Sequence, residues 1–389
     1  MPSVHIAIAG VGKTATHIVG TILSNPDMLK EDVEIYLLDT KEPKHGEPER
    51  RKAELLAKEF RDSGRALGRE YRVYSGPDNV PNPDITIITT GRQRLPGETR
   101  SKMSKDNSIP IKKFITEYCP NHNISLKNSK IGNLVNGVGC LSPYVLERME
   151  EAYGKEANPN NIFSFGAGLD WMRTEGTICD FIDNDPDLKG KYSRYDIAFK
   201  GVCGGHDDTM VHAMDCSTVG GEPIKEVLGG ENVNQICNEV RKMGALYNEH
   251  LEGAGPSVGA DVLLDLVIPV VNNSLENVPI LAPLRIDRDL SGLGLSKDNV
   301  HGHLYKMAEN SKIIKPKDVE DLPFKYVWTG LCPKIGSEGM TELGIPELSD
   351  KEKDQMEYSI ASAIMENMEG GLLNRLPDYR VKRPAIAAA

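Results

Sequence analysis

Val4–Ala15 reads V-H-I-A-I-A-G-V-G-K-T-A, and this stretch decides the fold. Val4–Ala9 is a short, mostly apolar run, the pattern of a strand buried on both faces. Gly10, Gly12 and Ala15 then give G-x-G-x-x-A, and T-H-I-V-G-T-I-L follows with helical spacing. In such a strand–turn–helix the first glycine permits the tight turn and the second lets a pyrophosphate approach the backbone. A small third residue lets the helix pack on the strand. Phosphates meet the free N–H groups of a helix start, so Gly10, Gly12, Lys13 and Thr14 are candidate cofactor contacts.

Outward from this turn, Val33–Leu38 reads as a second strand ending at Asp39. An acid about 20 residues beyond the glycine turn accepts hydrogen bonds from ribose hydroxyls. It repels a 2′-phosphate, which favours NAD, although Lys41, Lys44, Arg50 and Arg51 leave room for NADP. Glu47–Gly64 is charged and helix-forming, and Tyr71–Tyr74 reads as a strand. Asp84–Thr90 is a β-branched run, Ser108–Tyr118 has helical spacing, and Ser129–Val135 is strand-like. This alternation predicts an α/β chain with an N-terminal Rossmann-type, doubly wound parallel sheet. Ligands of such sheets bind beyond the carboxyl ends of the strands, where Gly10, Asp39, Thr90, Gly91 and Asn133 fall.

The chain has 389 residues, enough for two domains. The expected division is a dinucleotide-binding domain over 1–160 and a C-terminal α+β substrate domain over 161–389. A net charge of −11 argues against a general nucleic-acid binder. No apolar run approaches the roughly 20 residues that cross a bilayer, and the N-terminus reads as a first strand rather than a leader. The seven cysteines have no CxxC spacing. Neither a disulfide framework nor a zinc site is expected, and a reducing cytoplasm fits.

Gly201–Met210 reads G-V-C-G-G-H-D-D-T-M. Glycines let another molecule come close, and His206 among them can move a proton near neutral pH. Upstream, Gly91–Arg100 places Arg92, Arg94 and Arg100 in a Pro/Gly-containing loop. Guanidinium groups grip carboxylates in a forked geometry; a solvated basic loop has the same composition.

Taken in order, these pieces resemble the lactate/malate dehydrogenase family. The resemblance covers the glycine turn, Asp39, R-x-P-G-x-x-R at Arg94–Arg100, Asn107, and G-N-L-V-N for the family's T-N-P-V-N. It continues with L-D-x-x-R at Leu169–Arg173, Gly204–Thr209 against G-x-H-G-D-S/T, and Ile335–Gly339 with Glu342–Tyr358. It implies hydride transfer between NAD and a small 2-hydroxy or 2-keto acid. His206 would take the hydroxyl proton, and Asp170 would orient the imidazole. Arg173 would bind the substrate carboxylate, and Arg100 would stabilise charge on the carbonyl oxygen. Asn133 would hydrogen-bond near that oxygen, Asn107 would contact the cofactor, and Ser257 would wall the pocket. Arg94 would read a distal carboxylate, which favours oxaloacetate and malate; Arg92 competes for that role. Homodimers or homotetramers are expected in this family.

Two departures stand out. Leu134 replaces the usual proline, and Asp207 replaces the usual glycine after the histidine. Asp207 is therefore a second candidate partner for His206. Residues 283–325 read as an insertion, longer than the family's hairpins here. His301 and His303 within it lack an obvious acid or cysteine partner for a metal. Ile224–Leu251 reads as a helix, Gly253–Ser257 as its stop, and Val258–Asn272 as a second apolar helix. Phe324–Ile335 is strand-like, and Ser349–Lys353 starts the last helix. A lactate-type enzyme is one alternative. Another is an NAD- and metal-dependent glycosidase on a related fold, drafting Cys140 and His206 as ligands.

Overall fold

The computed structural model describes residues 3–25, 32–39, 51–77, 80–93, 95, 98–154, 157–250, 256–320, 322 and 325–369. Six parallel strands form its centre: β1 (Val4–Ala9), β2 (Val33–Leu38), β3 (Val73–Ser75), β4 (Ile85–Ile88), β5 (Lys130–Asn133) and β6 (Ile162–Ser164). Their spatial order is β3-β2-β1-β4-β5-β6, so the winding reverses between β1 and β4. The register pairs Ala9 with both Leu38 and Ile88, and Ile88 with Asn133. Four strands thus end level, which brings the glycine turn, Asp39, Thr90 and the residues after Asn133 to one edge.

Side chains alternate across the pleat. Ile6, Ile8, Ile35, Leu37, Ile85 and Ile87 join the core on one face, and Ala7, Ala9, Leu38, Ile88 and Ile131 join that on the other. The first face is covered by α1 (Lys13–Ser24), through Ala15, Ile18, Val19 and Ile22, by α2 (Arg51–Ala66), through Ala53 and Ala57, and by the apolar helix Pro256–Asn272. The second is covered by α3 (Arg100–Lys113) and α4 (Val138–Tyr153), through Ile111, Leu141 and Val145. Burial on both sides explains why these strands read as continuous apolar runs.

The helix anticipated over Ser108–Tyr118 begins earlier, at Arg100, where the Thr99 side chain accepts from the Lys102 N–H at 3.2 Å. Only Met103 among the residues of its first two turns is apolar, so no stripe marked that start. A wider π turn, Phe114–Tyr118, continues it, and a last α turn, Cys119–Asn121, ends it. The helix anticipated over Ile224–Leu251 breaks at Gly229, where φ is +84°. It gives Ile224–Leu228 and then a long helix, Gly230–His250.

Two strands from the second half extend the same sheet. β7 (Ile280–Arg285) and β8 (Tyr326–Leu331) pair antiparallel beyond β6, making eight strands. Between them, within the expected insertion, lies the helix Lys297–Asn310, which packs on the final helix Asp350–Glu369. His303 is used there: its Nε2 lies 3.0 Å from Asp354, and its ring meets Tyr358 edge-on. All seven cysteines are unpaired. Among the described residues no helix is long and apolar enough to cross a membrane.

Candidate active site

The glycine turn has the geometry that its sequence demands. Gly10 has a φ of +99°, and a Cβ there would lie 2.9 Å from the Thr90 backbone; only glycine fits. Gly12 is the N-cap of α1 and has no neighbour within 4 Å of an added Cβ. No side chain caps the helix, and its first turn, with Lys13 and Thr14, carries no acid. Free N–H groups beside open space are suited to an anion, so a dinucleotide pyrophosphate fits the residues present.

Two asparagines expected at the ligands have their amides engaged by the protein itself. Asn107, expected at the cofactor, is buried and serves the chain. Its Oδ1 accepts from the Arg92 N–H at 2.8 Å, and its Nδ2 donates to the carbonyls of Arg92 and Asn136. Asn133, expected at both cofactor and substrate, is fully buried. It accepts from the Val135 N–H at 3.1 Å and donates to Ser142 Oγ at 3.3 Å. Buried amides have to satisfy their donors and acceptors, and here the loop backbone and Ser142 do so. Both therefore shape the walls rather than line the cavity. Gly91 fits between them, since a Cβ there would lie 2.5 Å from Val135. Leu134 gains what a proline lacks: its N–H donates to the Ile88 carbonyl at 3.0 Å, adding a bond to the end of the ladder.

In the arginine loop, Arg92 is tied internally. Its guanidinium donates to both carboxylate oxygens of Glu98 and to Asp106 at 2.6 Å. The Arg92 hydrogen bond holds Glu98 well below the usual carboxylate range, at about 2. Arg92 is thus committed and does not compete for a second substrate carboxylate. Arg94 lies outside the described residues, as do the side chains of Arg100, which opens α3, and Ser257, the second residue of Pro256–Asn272.

The mid-chain residues converge. α5 (Gly166–Asn184) leaves the end of β6 and carries Asp170 and Arg173 one turn apart, both buried. Asp170 Oδ2 lies 2.6 Å from Nδ1 of His206, whose side chain keeps 27% exposure. Gly166 makes room for this pairing, because a Cβ there would fall 2.5 Å from His206 Cγ. Asp207, the other candidate partner, instead accepts from the N–H and hydroxyl of Thr209. The imidazole partner is Asp170.

Arg173 is incompletely satisfied. Its Nη1 stands 3.8 Å from Asp170 Oδ1, and its guanidinium stacks over Tyr247 at 5.0 Å. Arg173 Nε and Asp170 Oδ1 are both buried without a hydrogen-bond partner. Desolvation lowers the guanidinium pKa, opposed by Asp170, yet an arginine stays charged in proteins. A buried cation with a free donor is stabilised by an incoming carboxylate.

His206, Asp170 and Arg173 line one cavity of about 350 Å³. Helix Gly230–His250 supplies Arg241, Lys242 and Gly244 to its wall, α4 begins it at Val138, and the final helix contributes Glu366. Sequence reading passed over these residues: Arg241 and Lys242 sit in an ordinary charged helix, and only the fold brings them here. Among the described residues no group of three or more His, Cys, Asp or Glu side chains is arranged to hold a metal. The glycosidase alternative is unsupported, and Cys140, which it would draft, is buried in α4.

No family model matches the chain. It is 25% identical over 377 residues to the malate dehydrogenase of Staphylococcus carnosus, covering 95% of this chain and 98% of that one. It is 26% identical over 284 residues to the malate dehydrogenase of Methanosarcina mazei, covering 72% and 82%. The fold is similar to the lactate dehydrogenase of Cryptosporidium parvum, solved with lactic acid and nicotinamide adenine dinucleotide. There the TM-score is 0.69, with 18% identity over 94% of this chain and 97% of that one.

Proposed function

This chain is a divergent member of the lactate/malate dehydrogenase family, and from that premise we propose that it interconverts a dicarboxylic 2-hydroxy acid and its 2-keto acid, malate and oxaloacetate first, using NAD. The observation that carries the reading is the 2.6 Å contact of His206 with Asp170 beside Arg173 in one cavity. An ionised Asp170 only accepts hydrogen bonds, so His206 Nδ1 donates to it and Nε2 is left to take a proton. During oxidation Nε2 removes the hydroxyl proton; during reduction it returns it. Asp170 also stabilises the imidazolium that forms. A bound nicotinamide accepts or supplies the hydride. Arg173 takes the substrate carboxylate, and Arg100 is assigned to the carbonyl oxygen.

The dicarboxylate preference rests on the resemblance of the Arg94–Arg100 loop, in which Arg94 is assigned the distal carboxylate. Lys242 is a further cation in the cavity wall, beside Asp207, Asp208 and Glu366. Ser257 is assigned to the pocket wall. On the cofactor side, the start of α1 would hold the pyrophosphate and Asp39 the ribose, with Thr90 and Gly91 flanking.

The test is a panel of 2-keto acids assayed with NADH and NADPH in parallel. Oxaloacetate with NADH is expected to give the highest kcat/KM; no absorbance change with any pair overturns the reading. Arg94→Gln is expected to move preference from oxaloacetate toward pyruvate, and an unmoved ratio removes Arg94 from substrate recognition.

A further inference from the structure

We infer that Ser359, Thr209 and Asp207 form a positioning device that fixes the turn carrying His206; this rests on reading His206 as the base. The turn leaves the two-residue strand Val202–Cys203 and returns at Val211–His212. It is held from behind by the final helix, 154 positions from Gly205 in the sequence. Ser359 is fully buried. Its Oγ accepts from the Gly205 N–H at 2.7 Å and lies 2.8 Å from Thr209 Oγ1. Thr209 Oγ1 in turn lies 2.6 Å from Asp207 Oδ1, which also accepts from the Thr209 N–H at 2.7 Å.

The direction of these bonds is forced. A carboxylate only accepts, so the Thr209 hydroxyl donates to Asp207. The Thr209 oxygen must then accept from the Ser359 hydroxyl, which leaves a Ser359 lone pair for the Gly205 N–H. Every donor in the chain has one use. His206 lies between Gly205 and Asp207, so both sides of its peptide are held. Gly204 permits the approach: its φ is +84°, and a Cβ there would fall 2.7 Å from Ser359 Oγ. Asp207, which departs from the glycine of the resembled family, supplies the terminal acceptor.

A misplacement of about 1 Å can cost about 100-fold in rate, so loosening the turn is felt in the chemical step. Ser359→Ala is expected to lower kcat about 10- to 100-fold, with KM and NADH affinity changed by less than about threefold. Thr209→Val should act in the same direction, and Thr209→Ser, which keeps the hydroxyl, should restore kcat. The isotope effect on kcat with deuterated NADH should rise as the hydride step becomes limiting. Amide exchange is the readout that does not need turnover: the Gly205 N–H should exchange about tenfold faster in Ser359→Ala, in proportion to the lost protection. Unchanged exchange at Gly205, or a kcat within about twofold of wild type in a folded Ser359→Ala protein, overturns the inference. If wild type turns over no keto acid, the proposed function falls and the catalytic role of the device falls with it. The exchange result still decides whether Ser359 holds the turn.

Discussion

Asp170 divides its two oxygens between tasks. One meets His206 at 2.6 Å, and the other stands 3.8 Å from Arg173. Asp170→Asn offers either an amide oxygen or an amide N–H to Nδ1, and the latter selects the wrong tautomer. Its kcat is expected to fall about 10²–10⁴-fold, and His206→Asn to remove turnover. NADH titration should show nearly unchanged cofactor binding in both variants; a Asp170→Asn protein with normal kcat would remove Asp170 from catalysis. These residues were legible because their chemistry is local. Asp170 and Arg173 share a helical turn, and His206 is flanked by glycines. Asn107 and Asn133 were not, since their partners are backbone groups of Arg92 and Val135 whose approach depends on the fold. Ser359 gives no sequence signal at all: a serine in an amphipathic helix reads as filler until Gly205 is seen beside it.

At the scale of elements, β1, the glycine turn and α1 were readable because strand, turn and helix each have their own pattern and all three agree. The β7–β8 extension was harder to read. Pro283 inside β7 argues against a central strand, yet β7 lies between β6 and β8. The reason is that β6 is short and pairs with β7 through Leu281 and Ser164 alone, so the ladder to β6 does not reach Pro283. The substitution at 134 shows the opposite economy. Leu134→Pro removes the N–H that reaches the Ile88 carbonyl, and should lower stability by about 0.5–1.5 kcal/mol. Urea unfolding measures this as a lower midpoint with unchanged slope; an unmoved midpoint would mean the bond contributes nothing net.

For the whole molecule, stability should depend on His212. It is buried, with Nδ1 3.2 Å from Thr174 Oγ1 and Nε2 without a partner. Desolvation, helped by the Arg241 charge, pushes its pKa down to about 3, below the unfolded value of about 6.5. Between these values the unfolded chain binds the proton and the folded chain does not. The stability is therefore complete above about pH 6.5 and is lost as pH falls toward the folded value. From pH 7 to pH 5 the loss should be about 2 kcal/mol greater in wild type than in His212→Gln. Thermal melts across that range give the comparison, and parallel curves would count against it.

The helix Lys297–Asn310 has a consequence that reaches well beyond its own surface. Glu357 of the final helix accepts from the Ser296 N–H and from the Asn299 side chain at 2.9 Å, and Asp354 meets His303. Two residues past Glu357 stands Ser359. This outlying helix is therefore bolted to the strut behind the imidazole. Damage to that outlying helix would slacken the turn that carries His206 while the central sheet stayed closed.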